Sequence, residues 1–181
     1  MPGKIIILSG PSGSGKDTII AAWMRKNDKV RRVITYTTRK PRKDEIDGID
    51  YHFVAENEFM AMVTSGYFLE HKEVHGRRYA SPKDDLFRMV EDGFIAVLKI
   101  DVQGALTAME KFPEAISIFI MPPSVDELSA RMKLRGTETR EEFDLRMQNA
   151  VDEIERARCY SQIVINDNVG RVVDEIEAII K

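Results

Sequence analysis

The sequence predicts an α/β protein of three layers, with helices on both faces of a mainly parallel sheet. Three observations carry this expectation. Short, continuous apolar runs rich in Ile and Val recur along the chain, "KIIILS" at 4–9, "FIAVLKID" at 94–101, "AISIFIM" at 115–121 and "QIVIN" at 162–166. Such runs suit strands buried on both faces, as in a parallel sheet. Segments of helical length separate them. The first run leads directly into a glycine-rich turn and then a helix-forming stretch.

Taken in order, the first helix is expected from about Gly15 through "KDTIIAAWMRK", with Trp23 on its inner face. "VRRVITYTT" reads as a second strand. "ENEFMAMVTSG" reads as a helix closed by Gly66. "YFLEHKEVHGRRYA" reads as a hairpin turning at His75-Gly76. Ser81-Pro82 opens a helix through Glu91, with Pro at an early helical position. After the strand at 94–101 comes a helix over "VQGALTAMEKF", then the strand at 115–121, stopped by Pro122-Pro123. Ser124 and Glu127 form a capping box for the next helix. A long helix is expected from about Arg140 to Cys159, followed by the last strand and a helix over "GRVVDEIEAII". The segment from about Thr35 to Ala80 is more polar, with tight turns and a hairpin. It reads as a small lobe inserted into a core made of residues 1–34 and 81–181.

Composition bounds the function. A chain of 181 residues with 43% hydrophobic content can build one domain with a real core. The net charge of −3 provides no global field to attract nucleic acid or an anionic membrane. The single cysteine, Cys159, excludes an internal disulfide, suits a reducing compartment and is expected to be a buried, inert thiol. The absence of an 18-residue apolar run or an N-terminal signal pattern leads to the expectation of a cytoplasmic protein. The oligomeric state is left open.

The chemistry begins at "GPSGSGKDT", Gly10 to Thr18. Gly10, Gly13 and Gly15 let backbone N–H groups converge on phosphate oxygens. The helix that follows directs its positive end to the same place. Lys16 reaches the terminal phosphates as a point charge. Pro11, Ser12 and Ser14 complete the loop, an expected ATP site. The position after Lys16, ordinarily a Ser or Thr that ligates Mg²⁺, holds Asp17. A carboxylate there is favourable in a first helical turn but is repelled by a nucleotide triphosphate unless a cation intervenes. Thr18 could supply the hydroxyl instead.

A second motif, "TYTTRKPRKDEIDGIDY", runs from Thr35 to Tyr51. Arg39 and Arg42 flank Pro41, and two guanidinium forks on a stiff turn suit a phosphate monoester. With "GPSGSGK", "TTRKPR", "DGIDYHF", "FLEH", "IDVQGA", "RGTETREE" and "VIND" in this order, nearly the whole chain resembles guanylate kinases, which transfer a phosphoryl group from ATP to GMP. The resemblance implies a P-loop NTPase fold with a GMP-binding lobe and a helical lid at about 131–146. It matches Arg39, Arg42, Tyr51 and Tyr79 to ligands of the GMP phosphate. It matches Thr35, Glu70, Ser81 and Asp101 to positions that read guanine. Guanine presents N1–H and its 2-amino group as adjacent donors, which a carboxylate such as Glu70 accepts; adenine does not, and the wrong base leaves buried acceptors unpaired. Arg131, Arg135 and Arg146 match arginines that cover the transferring phosphoryl. Arg131 and Arg146 also suit plain helix surfaces, and Arg135 a helix end. Asn166 matches a position near the ATP base. The implied cofactors are ATP and Mg²⁺, the latter with Asp17 as its candidate ligand.

The chain departs from the family pattern at paired positions. Guanylate kinases carry Asp-x-Asp before "QGA"; here the text is "LKIDVQGA", with Lys99 in place of the first acid. Hydroxyl has become carboxylate at Asp17 and carboxylate has become ammonium at Lys99. The expectation is an ion pair between them. Ala80 stands where the family has Gly, and Arg77 and Arg78 add positive charge. Two other readings stay open at this stage. "GPSGSGKD" also looks like the loop of ribose 1,5-bisphosphate phosphokinases, and guanylate kinase-like domains can serve as non-catalytic binding modules.

Overall fold

The computed structural model describes residues 3–74, 76–134 and 140–181. A five-stranded parallel sheet in the order β2–β7–β1–β8–β9 forms the core, from Val30–Arg32, Ile95–Lys99, Lys4–Ser9, Ile116–Met121 and Gln162–Ile165. Alternation along β1 divides the core in two. Ile6 and Leu8 face a layer built from α1 (Lys16–Lys26) and α7 (Val169–Ile179), where Ile19, Trp23, Val172 and Ile176 are buried. Ile7 faces the opposite layer, where Leu86 of α3 (Lys83–Glu91) packs with Val102, Ala105 and Ala108 of α4 (Val102–Lys111). Trp23 has no solvent exposure, and its Nε1 donates to Glu177 Oε1 at 2.5 Å.

A second, four-stranded sheet runs β4–β3–β6–β5, from His52–Phe53, Tyr36–Thr37, Arg77–Pro82 and Phe68–Val74. Its β5–β6 pair is an antiparallel hairpin, and α2 (Glu56–Thr64) packs beside it. The expected single strand over "VRRVITYTT" is therefore two. β2 ends at Arg32, and β3 begins at Tyr36 in the other sheet: the Val33 N–H still donates to the Val97 carbonyl of the core sheet, whereas the Thr35 carbonyl already accepts the His52 N–H of the second. His75, the expected turn residue, lies outside the described residues. Ser81 and Pro82 belong to β6, so the proline caps α3 from outside its first turn. Ala80 continues the strand, opposite Tyr36 and His71, without a special turn.

Two helices cover the end of the sheet near the glycine-rich loop. Leu128 and Met132 of α5 (Val125–Leu134) pack against Ala150, Phe143 and Met147 of α6 (Arg140–Glu155). Only half of the expected capping box is made. Ser124 Oγ accepts the Glu127 N–H at 3.0 Å, but the Glu127 carboxylate turns to Arg131. The long helix stops at Glu155 and passes into a 3₁₀ turn, Arg156–Cys159. Cys159 is exposed, which corrects the expectation of a buried thiol, since that turn shows its last residue to solvent.

Candidate active site

A cleft of about 630 Å³ opens between the two sheets and under α6. One end is the glycine-rich loop. Gly15 adopts φ 89° as the residue before α1. Only glycine is suited to that conformation, and a Cβ there would also collide with Asn166 Nδ2. Asn166 is buried, and its Nδ2 donates to the Ser14 carbonyl at 2.7 Å. The amide of Asn166 thus braces the loop from beneath. Lys16 Nζ donates to the Gly10 and Pro11 carbonyls at 2.5 and 2.9 Å, curled over the loop it serves. Arg146 reaches down from α6 and donates to Ser12 Oγ at 2.7 Å.

Asp17 and Lys99 meet in the middle of the cleft. Lys99 Nζ donates to Asp17 Oδ1 at 2.7 Å, and Arg32 approaches the same oxygen at 3.3 Å. The parallel pairing of β1 with β7 sets this geometry, because it brings the end of β7 beside the start of the loop. Partial desolvation pushes the Asp17 carboxyl up, but Lys99, Arg32 and Lys16 together hold it below its ordinary value.

At the other end, Glu70 and Ser81 face each other across the β5–β6 hairpin. Ser81 Oγ donates to Glu70 Oε1 at 2.6 Å, and both are buried. Asp101 caps α4, accepting the Gly104 N–H at 2.6 Å. Gly104 allows the two carboxylates to close in, since a Cβ there would lie 3.0 Å from Glu70 Oε2 and 3.1 Å from Asp101 Oδ1. Burial pushes the Glu70 carboxyl up to about 7; the Ser81 hydroxyl counters and Asp101 adds to it. Thr35 is buried on the same wall. The wall is a set of acceptors with hydroxyls beside them, suited to a ligand edge that donates adjacent hydrogens.

Between these ends lies a cationic and phenolic cluster. Arg39 forms a two-pronged ion pair with Glu45, 2.8 Å at each prong, and Glu45 also accepts the Arg42 N–H at 2.7 Å. Desolvation raises the Glu45 carboxyl, but Arg39 and the Arg42 N–H hold it below its ordinary value. The Tyr51 and Tyr79 rings meet edge to face at 6.1 Å. Arg42, Tyr51 and Tyr79 all line the cleft.

The structure thus brings Gly10, Ser12, Gly13, Gly15, Lys16, Asp17, Thr35, Arg39, Arg42, Tyr51, Glu70, Tyr79, Ser81, Asp101 and Arg146 to one cleft. Pro11, Ser14, Thr18, Arg131 and Asn166 are not part of its lining. Arg131 is engaged elsewhere, donating to Glu127 at 3.0 Å and to the Asn166 carbonyl at 3.3 Å. Arg135 lies outside the described residues. Sequence reasoning missed Lys72 and Glu153 of the lining, and also Glu45 and Arg32, which hold the lining residues Arg39 and Asp17. Glu45 sits three residues after Arg42, a spacing that a turn closes. Arg32 lies in "VRRVITYTT", which reads as a strand and carries no motif of its own. Glu153 lines the cleft from α6, its carboxyl pushed up to about 7 by burial and by Asp101 despite Lys16; nothing in the surrounding sequence marks it.

Comparisons with known proteins give one consistent family. A family model described as guanylate kinase matches residues 2–181. The guanylate kinase of Caldanaerobacter subterraneus subsp. tengcongensis is 46% identical over 178 residues, covering 98% of this chain and 86% of the relative. That of Halalkalibacterium halodurans is 42% identical, covering 98% and 87%. The crystal structure of guanylate kinase from Anaplasma phagocytophilum superimposes with a TM-score of 0.80 at 33% identity, covering 99% of this chain and 85% of that one.

Proposed function

The chain belongs to the guanylate kinase family, and from that premise we propose how its residues carry out the phosphorylation of GMP by ATP. The observation that carries the reading is the single cleft with a phosphate-binding loop at one end and the buried Glu70–Ser81 wall at the other.

The ATP phosphates lie along the backbone N–H groups of Gly10 to Lys16, at the N-terminus of α1. Lys16 leaves its carbonyl contacts for the terminal phosphates. The acceptor phosphate is held by Arg39, Arg42, Tyr51 and Tyr79. Its base lies on Glu70, Ser81, Asp101 and Thr35, where ionised Glu70 accepts from N1–H and the 2-amino group. These groups engage base and phosphate, which supports 2′-deoxy-GMP as a second acceptor. An oxygen of the acceptor phosphate attacks the terminal phosphorus of ATP in line, the bond to the ADP oxygen breaks, and no enzyme-bound intermediate forms. Arg146, with Arg131 and Arg135 from the lid at about 131–146, neutralises charge on the moving group as α6 closes and excludes water.

For Mg²⁺, the donor set is sparse but compatible. Among the described residues no cluster of three acidic, histidine or cysteine side chains could hold a metal ion. Asp17 is more than half exposed, and both neighbouring cations approach its Oδ1. Asp17 would hold an ion that otherwise leans on substrate phosphates and water. When bound, Mg²⁺ would supply charge neutralisation on the substrate phosphates.

Among the described residues, no helix is long and apolar enough to cross a membrane. The single, exposed cysteine supports a reducing compartment such as the cytoplasm. The test of function is ADP release from MgATP with GMP, dGMP, AMP and ribose 1,5-bisphosphate offered separately. Turnover with the two guanine nucleotides alone is expected. Turnover with the sugar phosphate alone, or with none, overturns the reading.

A further inference from the structure

Three cations surround one ring of the cleft. Lys99 Nζ lies 5.1 Å from the Tyr51 centroid, and the guanidinium carbons of Arg39 and Arg32 lie at 5.5 and 5.9 Å. Arg39 is answered in full by the two oxygens of Glu45. The other two share a single carboxylate, Asp17, through one oxygen. The Lys99–Arg32–Asp17 set therefore carries one positive charge in surplus. Arg32 Nε is buried and meets no acceptor, although its other nitrogens reach Asp17 and the Asp50 carbonyl.

Lys99 is the cation of the set that reaches the cleft. Its side chain is 9% exposed, yet it lines the cleft, and the exposed Asp17 holds its ammonium. That ammonium stands between the glycine-rich loop and the Tyr51 ring, where the acceptor phosphate must be brought against the terminal phosphate of ATP. Two phosphate groups approaching there repel each other, and a cation at the seam offsets the repulsion.

We propose that Lys99 is a further substrate-contacting residue: held by Asp17 at the seam between the two phosphate subsites, its ammonium binds an oxygen of the acceptor's phosphate monoester. Asp17 acts as a tether that positions Lys99, and Arg32 behind it keeps Asp17 ionised and in place. The exchange of charges at positions 17 and 99 is then a working device, because it puts a cation where the family pattern has an acid. The inference rests on the reading that GMP is the acceptor.

The test is calorimetric titration of GMP and of guanosine at pH 7.5, with EDTA present and no ATP, so that metal plays no part. The variants are Lys99→Met, Lys99→Arg and Asp17→Asn/Lys99→Met, each checked by its melting temperature. Lys99→Met is expected to weaken GMP binding about tenfold, the scale of one charge-assisted hydrogen bond in a partly open site. Guanosine, which lacks the phosphate, should change less than about twofold. Lys99→Arg should restore most of the GMP affinity, and the double variant should stay as weak as Lys99→Met. Recovery in the double variant would mean that Lys99 merely offsets Asp17, and equal losses for GMP and guanosine would mean a structural role. Either outcome overturns the proposal, as does unchanged GMP affinity in Lys99→Met. If the unsubstituted protein binds no GMP, the acceptor assignment falls and this inference with it.

Discussion

Lys99 Nζ and Asp17 Oδ1 are 2.7 Å apart, so the carboxylate after the loop lysine and the ammonium at the end of β7 are direct partners. Each substitution alone would unbalance the charge beside the phosphate loop. Together the two side chains sum to zero, one unit more positive than a hydroxyl and a carboxylate at these positions, and the carboxylate stands on the loop side instead of the strand.

The pair predicts a specific failure and its repair. Lys99→Asp places two carboxylates next to the ATP phosphates, and like charges at this range repel. ATP affinity should fall about tenfold, and adding Asp17→Ser should recover most of it. Fluorescence titration with a labelled ATP analogue measures both. The ion pair itself should add little to stability, below about 1 kcal/mol, because Asp17 is largely exposed and water screens it.

Glu70 predicts a pH dependence. Its folded pKa, about 7, lies above its ordinary value of 4.5. The folded state therefore binds more protons than the unfolded one between about pH 4.5 and 7, and stability falls as pH rises through that window. Glu153 has the same sign and window, so Glu70→Gln should remove part of the slope in urea denaturation. Binding runs the other way. GMP needs the ionised carboxylate, so its affinity should rise with pH through about 7, and calorimetry should register proton release below that pH. The phosphate of GMP also titrates near pH 6, but it does so equally in Glu70→Gln, and the difference between the two proteins isolates Glu70.

Asn166 predicts a loss that begins in the loop. Removing its amide leaves the Ser14 carbonyl without its 2.7 Å donor in a buried place. Asn166→Ala should cost about 1–3 kcal/mol of stability and raise KM for ATP several-fold. Thermal unfolding and steady-state kinetics check the two parts.

The core was legible because its signals are local. β1, β7, β8 and β9 are continuous apolar runs, and the glycine-rich loop announces the helix that follows. The break between Arg32 and Tyr36 was not legible, since Val33 and Ile34 continue an apolar pattern while only tertiary pairing decides which sheet each half joins. The Asp17–Lys99 contact could be read because both positions break one known pattern. Glu45, Arg32 and Glu153 could not, because a side chain's partner across the cleft leaves no mark on its own neighbours in sequence. Cys159 was misread for a related reason. Its exposure depends on where α6 gives way to a 3₁₀ turn, four residues that composition does not separate from the helix.

Glu45 predicts a split between substrates. It holds the Arg39 fork by both oxygens, ready to share it with a phosphate. Glu45→Gln weakens that hold and lets Arg39 wander. KM for GMP should rise several-fold while KM for ATP stays level, by initial-rate kinetics with each substrate varied. A fall in KM for GMP would mean that Glu45 competes with the phosphate for Arg39.

The most direct measurement is a crystal structure of the protein with GMP bound at pH 7.5. The account predicts Glu70 oxygens within about 3.2 Å of guanine N1 and the 2-amino nitrogen, with the phosphate on Arg39, Arg42, Tyr51 and Tyr79. A guanine ring away from the Glu70–Ser81 wall, or a phosphate seated on the glycine-rich loop instead, would contradict it.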